Sequence, residues 1–180
     1  MIRLKNYCDL SPQEHHALLT IRNLESIRNT SGNRETIDFQ HHLKWIESLK
    51  PSNQKFYYAV VENDTLRGGV HLIRDDDHGA TWGIFFDPKT PLGLIASVTL
   101  YFIDRCFESL GLQTLRSLIR TENTGAIAFN RQLGFKPLEE NDDFVLMELD
   151  KMGWNAQKER KILKNILQYA AHYPIYPESL

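Results

Sequence analysis

Residues 81–135 restrict the fold more than any other stretch, because they read without interruption as strand, loop, helix, strand and helix. The first strand, 81–86, carries Trp82, Ile84, Phe85 and Phe86 and is closed by Asp87 and Pro88. A loop over 89–93 follows. Apolar residues at Ile95, Val98, Phe102, Phe107 and Leu110 then fall near helical spacing until Gly111 stops the run. A second strand over 114–120 runs into Glu122 and Asn123, and a short helix carrying Ala126, Phe129 and Leu133 stops at Gly134 and Phe135. A loop that feeds a helix N-terminus is a ready anion site, since unpaired backbone N–H groups and the helix dipole both point at it.

The N-terminal half supplies strands and two helices. Residues 2–7 alternate as a strand. Ser11, Pro12 and Glu14 form a capping box with Pro at the first helical position, so a helix starts there with Leu18 and Ile21 inward. Arg22 borders that buried stripe; it is either a solvated or fold-paired cation or a ligand contact. Residues 24–36, polar and holding Ser31, Gly32 and Asn33, read as a loop or frayed helix, either an ordinary connection or a specificity loop. Asp38 caps a helix with Phe39, Leu43, Ile46 and Leu49 on one stripe. At about 100° per residue His42 falls inside that stripe and His41 nearly opposite. His42 is therefore a core histidine with one hydrogen bond, or a ligand contact.

Strands over 55–62 and 66–74 are joined by a turn at Asn63 and Asp64, and Gly68 with Gly69 signals a bulge or a close backbone approach. His71 lies on the opposite face of its strand from Val70 and Leu72; it either handles a proton or fills a half-exposed position. Asp75, Asp76, Asp77, His78 and Gly79 fit no calcium loop and read as a solvated hairpin tip. A last strand covers 142–150. A helical pattern over 154–171, with Ile162, Ile166 and Tyr169 on one stripe, ends at Pro174 and Pro177 and either packs across the fold or forms a dimer surface.

A length of 180 residues suggests one domain, 1–150, with a helical extension over 151–180. A net charge of −2 gives no footprint for nucleic acid. No apolar run approaches the roughly 18 residues that span a bilayer, and the first residues lead into a strand rather than a signal-peptide core. Cys8 and Cys106 are expected as free thiols in a reducing cytoplasm.

The run Asn123, Ala126, Phe129, Asn130, Gly134 and Phe135 resembles the end of a GCN5-related N-acetyltransferase (GNAT) domain, and the element order is similar over most of the chain. A narrower resemblance, to bacterial aminosugar N-acetyltransferases of the pseudaminic acid pathway that supply flagellar glycan, is carried by four groups of residues. These are Ile21, Arg22 and Asn23; Phe39, His42, Leu43 and Ile46; Gly83, Ile84, Phe85 and Pro88; and Asn123 with 126–129. The resemblance implies an α/β (α+β) fold with a mixed, mostly antiparallel central sheet, strands four and five splayed, and helices on both faces. It implies acetyl-CoA as co-substrate, no metal, and a nucleotide-linked 4-amino-4,6-dideoxy sugar as acceptor. That acceptor is similar to UDP-4-amino-4,6-dideoxy-N-acetyl-β-L-altrosamine, and a homodimer is compatible.

Carried onto this chain, the resemblance implies that a backbone N–H near Phe85 or Phe86 polarises the thioester. The turn over Leu92, Gly93, Leu94, Ile95 and Ala96 would hold the diphosphate, and Asn123, Ala126, Phe129 and Asn130 would line the pantetheine arm. Arg22 and His42 would meet the acceptor. His71 or Glu122 would take the ammonium proton, although Glu122 could equally cap the next helix. Two departures stand out. The family's Gln/Arg and second small residue are replaced at Thr90 and Ile95, with Gly93 and Ala96 retained nearby. Asn130 takes the place of the Tyr that protonates the CoA thiolate; Asn can donate a hydrogen bond to sulfur but has no proton to give. Tyr101 is an alternative donor. Protein N-terminal or ribosomal-protein acetylation, and CoA binding without turnover, are the competing functions.

Overall fold

The structure, a computed structural model, describes residues 1–76, 78–160, 163–164 and 175–177. Strand β1 (Ile2–Asn6) passes through a 3-10 turn (Tyr7–Asp9) into helix α1 (Pro12–Arg22). The capping box forms: Ser11 Oγ accepts from the Glu14 N–H and the Glu14 carboxylate accepts from the Ser11 N–H at 2.7 Å, an arrangement worth about 1 kcal/mol. A short α2 (Glu25–Arg28) precedes α3 (Phe39–Leu49), whose first N–H groups at Gln40 and His41 donate to the Asp38 carboxylate.

Strands β2 (Lys55–Glu62) and β3 (Thr65–Arg74) form a hairpin through Asn63 and Asp64, at φ +46° and +63°. These are the left-handed angles that a two-residue hairpin turn requires and that Asn and Asp tolerate. The expected bulge is present, because Val60 pairs with Gly68 and Val61 with Leu66, leaving Arg67 extra. The close approach is present too: a Cβ on Gly68 would stand 2.1 Å from the Phe85 carbonyl oxygen.

The chain continues through β4 (Gly79–Phe86), α4 (Leu92–Glu108), β5 (Thr114–Arg120), α5 (Thr124–Leu133), β6 (Lys136–Glu140), β7 (Phe144–Asp150), α6 (Lys151–Lys158) and β8 (Ile175–Pro177). The sheet order is β6-β7-β5-β4-β3-β2-β1-β8. All neighbours are antiparallel except β4 with β5 and β1 with β8. Two cores cover its faces. Tyr58 and Val60 face one that includes Val98, Phe102 and Phe107 of α4 and Ile127 of α5; Ala59 and Val61 face the other, with Leu18 of α1 and Ile46 of α3. Period-two alternation along β2 thus places helices on both faces.

Several boundaries differ from the sequence expectation. Helix α4 begins at Leu92 with Pro91 as its cap, so Gly93 stands in the first helical turn rather than in the loop. The helix ends at Glu108, and Gly111 follows in the left-handed region at φ +70°. Strand β6 was absent from the expected elements because its five residues are all exposed and include Pro137; this is an edge strand with no alternation to read. Helix α6 starts at Lys151, not at 154, because the Asp150 carboxylate caps it by accepting from the Gly153 N–H at 2.6 Å. Trp154 is fully buried and donates from Nε1 to Asp104 of α4 at 2.7 Å. Ile162, Ile166 and Tyr169 of the expected tail helix lie outside the described residues, as does Asp77 of the hairpin tip, where the Asp76 carboxylate accepts from the His78 and Gly79 N–H groups.

Candidate active site

The site begins where two central strands part. β4 pairs with β5 only from Gly79 to Thr81, opposite Thr114 to Arg116. Each strand keeps its outer ladder: β4 pairs with β3 as far as Phe86, and β5 pairs with β7 as far as Arg120. The sheet therefore opens as two intact halves. Those backbone groups of residues 82–86 that face β5 have no strand to bond, and unclaimed N–H groups seek a ligand or water.

The opening leads into a cavity of about 890 Å³. Its inner wall comes from β4 (Trp82 to Phe86), β5 (Ser117, Leu118, Ile119) and α5 (Ala126, Phe129, Asn130). Its outer wall comes from α1 (Arg22), residues 30–33, α3 (His42, Trp45), Tyr7, Tyr57 and His71. The structure thus brings together Phe85, Phe86, Ala126, Phe129 and Asn130 with Arg22, His42 and His71 around one space.

Arg22 is the single Lys, Arg, Asp or Glu among the described residues that line the cavity. Its Nη2 donates to the Asn33 carbonyl at 3.0 Å, while its buried Nη1 has no hydrogen-bond partner. Burial pulls its pKa below the usual guanidinium value, with Tyr7 acting upward and Arg28 downward, but a guanidinium stays charged. A buried cationic nitrogen without a partner calls for an acceptor, and an anion there would also match its charge.

His42 is buried and its Nε2 lies 3.0 Å from Nδ1 of His15, a buried histidine that sequence reasoning passed over. Desolvation, then the neighbouring His15, lowers the His42 pKa to about 4. His71 lies parallel to Tyr57 at 5.0 Å between ring centroids, and desolvation lowers its pKa to about 4 as well. Both imidazoles are neutral near pH 7. Its cross-strand partner is Gly83, where a Cβ would stand 2.5 Å from His71 Cε1, so the glycine is what lets the ring lie across β4. Gly69 has the same use: a Cβ there would meet the Tyr7 hydroxyl at 2.2 Å.

Asn130 is buried, donates from Nδ2 to the Ala126 carbonyl at 2.9 Å, and leaves Oδ1 buried without a partner. Asn123 caps α5, its Oδ1 accepting from the Ala126 N–H at 3.1 Å. Helix capping at this point therefore falls to Asn123 and not to Glu122. The Glu122 side chain is 67% exposed, pairs with Arg34 and does not line the cavity.

Leu92 to Ala96 do not border the cavity either; they form the first turn of α4 beyond it. Leu94 is in the core and its N–H, like that of Ile95, bonds to the Pro91 carbonyl. By α-helical geometry the Leu92 and Gly93 N–H groups have no intrahelical acceptor. The turn is held by the β3 bulge: the Arg67 carbonyl accepts from the Asp87 N–H at 2.7 Å and from Thr90 Oγ1 at 3.4 Å.

Sequence reasoning also missed Tyr7, Trp45 and Tyr57, whose rings pack mutually on the outer wall with centroids 4.8 to 6.1 Å apart. Aromatic residues on a helix stripe and a strand read as core; only the fold shows that they face a cavity.

Residues 10–136 match the family described as Acetyltransferase (GNAT) domain. Acetyltransferase PseH of Campylobacter jejuni subsp. jejuni serotype O:23/36 (strain 81-176) is 26% identical over 144 residues, which cover 80% of this chain and 90% of that protein. Among solved structures, Campylobacter jejuni N-acetyltransferase PseH in complex with acetyl coenzyme A superposes with a TM-score of 0.68 at 24% identity, over 84% of this chain and 99% of that one. Spermidine N-acetyltransferase from Vibrio cholerae, in complex with CoA and spermine, superposes with a TM-score of 0.73 at 16% identity, over 86% of this chain and 98% of that one.

Proposed function

The chain belongs to the GNAT acetyltransferase family, and we propose that it transfers the acetyl group of acetyl-CoA to the amine of a nucleotide-linked 4-amino-4,6-dideoxy sugar, as in pseudaminic-acid-type surface or flagellar glycan synthesis. The observation that carries the acceptor class is the charge of the cavity. Among the described residues, Arg22, with one buried nitrogen lacking a partner, is the only formally charged side chain that lines it, and none of them brings a carboxylate to its wall. A polyamine or a peptide N-terminus is held by carboxylates; a diphosphate is held by a guanidinium. The relationship to Campylobacter PseH supports the same reading. Cytoplasmic residence fits this substrate and the two free thiols at Cys8 and Cys106.

Acetyl-CoA fits the parted strands on two counts. The β4 backbone beyond Thr81 faces no strand on its β5 side, and the buried Asn130 Oδ1 has no partner in the adjoining wall. A pantetheine arm supplies alternating amide N–H and C=O groups, the complement of an open strand edge. The Leu92 and Gly93 N–H groups at the α4 N-terminus would meet the diphosphate. A β4 N–H near Phe85 or Phe86 would polarise the thioester carbonyl.

Arg22 and His42 would hold the acceptor so that its neutral amine reaches the carbonyl carbon, and this positioning supplies much of the rate. His71, neutral and inside the cavity, would take the proton that the nitrogen loses as the C–N bond forms, directly or through water. The C–S bond electrons leave with sulfur. Asn130 can only donate a hydrogen bond to the departing thiolate, whose protonation then falls to solvent.

Thiol release from acetyl-CoA, measured with the UDP-linked amino-dideoxy sugar, with spermidine and with N-terminal peptides, tests the reading. Turnover confined to the sugar supports it. Turnover confined to either cationic acceptor overturns it.

A further inference from the structure

Helix α1 turns two side chains toward the cavity, one into its wall and one behind it. His15 and Arg22 are seven residues apart, two helical turns, so they share a face. Arg22 lines the cavity itself; His15 does not, but it stands behind His42, which does. The two imidazole rings are 5.1 Å apart between centroids and inclined at 70°, an edge-on approach that brings Nδ1 of His15 within 3.0 Å of Nε2 of His42.

Two neutral imidazoles in such contact share one proton. If His42 donates from Nε2, its Nδ1 is a lone pair. If His15 donates from Nδ1, His42 keeps its proton on Nδ1, the nitrogen that the contact with His15 does not use. The nitrogen that carries the proton is set by the partner of the other nitrogen. A lone pair beside an anion held by Arg22 would repel it, whereas an N–H would bind it.

We propose that His15 is a positioning residue for acceptor binding, donating from Nδ1 to His42 Nε2 and so fixing His42 as the Nδ1–H tautomer that donates to the phosphate-bearing part of the acceptor. The proposal rests on the anionic-acceptor reading but has its own test. Neither residue exchanges a proton with substrate in this arrangement. The contact is a fixed orientation, made before the acceptor arrives, and it leaves proton removal to His71.

The experiment is long-range ¹H–¹⁵N spectroscopy of histidine-labelled full chain near pH 7.5, on wild type, His15→Ala and His15→Asn, with and without UDP. In the wild type His42 should show a protonated Nδ1 and an unprotonated Nε2, and UDP should shift Nδ1. His15→Ala should average the two His42 tautomers and raise the acceptor KM by about tenfold, the loss of one oriented hydrogen bond, while leaving the acetyl-CoA KM unchanged. His15→Asn, whose amide can donate from a similar place, should restore the single tautomer and most of the affinity. A wild-type His42 protonated on Nε2, or an unaltered His42 spectrum in His15→Ala, would overturn the proposal. The wild-type spectrum needs neither substrate nor variant, so a misfolded variant does not shield the idea. Failure of sugar turnover would count against the acceptor reading and not against the tautomer.

Discussion

The Arg34 guanidinium and the Glu122 carboxylate form an ion pair across 88 positions of chain, tying the loop after α2 to the end of β5. This pair bears on catalysis because Glu122 was a candidate base. A carboxylate that is 67% exposed, engaged by a cation and absent from the cavity wall is placed to latch a loop. Glu122→Gln should therefore keep the pH–rate profile in shape and cost no more than about threefold in kcat/KM, since exposed pairs contribute less than about 1 kcal/mol. Arg34→Gln should match it. Steady-state rates from pH 6 to 9 decide the matter; loss of one limb of the profile in Glu122→Gln alone would make Glu122 the base after all.

The stronger tie to the same loop is Arg120. Its Nε donates to the Ser31 carbonyl at 2.8 Å and its Nη2 to the Gly32 carbonyl at 3.0 Å, while its guanidinium lies 4.8 Å from the Phe144 ring centroid. Ser31 and Gly32 line the cavity, so this fork joins the acceptor wall to the strand that borders the opening. Arg120→Gln should raise the acceptor KM several-fold and speed hydrogen exchange over 30–34, with the acetyl-CoA KM little changed. Arg120→Lys should not rescue, because an ammonium cannot make the planar fork. Unchanged exchange over 30–34 would mean that the loop's other ties, Arg28 to the Arg34 carbonyl at 2.8 Å, Arg22 to the Asn33 carbonyl at 3.0 Å and the Arg34–Glu122 pair, hold it without Arg120.

Arg22 supplies the test of acceptor charge. Arg22→Gln keeps a donor for the Asn33 carbonyl but removes the cation. The expected result is an acceptor KM raised by about a hundredfold, the scale of a lost charge-assisted contact in a dry site, with the acetyl-CoA KM unaltered. Two-substrate initial-rate kinetics separate the terms. A variant that gained activity toward spermidine while losing the sugar would support the charge argument further; one with both KM values unchanged would remove Arg22 from the site.

The legible parts of the molecule were those with local signals. The Ser11 capping box, the turn at Asn63 and Asp64, the bulge near Gly68 and the stripe that turned His42 inward each rest on a few adjacent residues and a known period, and each is present in the fold. What could not be read depends on partners far apart in the chain. His15 looks like any residue near a helix start until His42, 27 positions away, meets it. The pairing of Glu122 with Arg34, 88 positions away, has no local signal, and β6 has no periodicity because both faces of an edge strand near Pro137 are wet. The strand opening lay between these cases. Element order implied it through the family resemblance, but its extent follows from where the β4–β5 register stops, at Thr81 and Arg116.

Gly83 tests the place of His71. The two residues are paired across β3 and β4, and a Cβ at Gly83 would come within 2.5 Å of His71 Cε1 and 3.1 Å of Nε2. The ring cannot yield freely, because it is stacked on Tyr57 at an interplanar angle of 14°. Gly83→Ala should turn the imidazole and lower kcat by about tenfold or more, the usual range for a displaced proton acceptor, with a smaller change in either KM. His71→Gln should lower kcat at least as much. Full kcat in both variants would take His71 out of the reaction and leave water as the base.

The same two neutral histidines give the fold an acid-sensitive step. His42 and His71 titrate at about 4 in the folded chain because desolvation disfavours their charged forms, against about 6.5 in an unfolded one. Between those values the unfolded chain binds more protons than the folded chain, so stability is complete above about pH 6.5 and declines as pH falls toward 4. At 1.36 kcal/mol per pKa unit the step amounts to about 3 kcal/mol per histidine as an upper bound. Carboxyls held low, Asp76 by the His78 and Gly79 N–H groups and Glu14, against its desolvation, by Lys5 and Ser11, lose their contribution from about pH 5 downward, so the histidine step is read over the upper part of the window. Urea midpoints measured from pH 8 to pH 4 should fall steepest through this window. His71→Gln should flatten the slope, leaving the part that His42 and the desolvated His15 supply, whatever it does to the midpoint at pH 8. A slope as steep in His71→Gln as in wild type would mean that this imidazole is already solvated in the folded state, and with it the dry, neutral base inside the cavity would be lost.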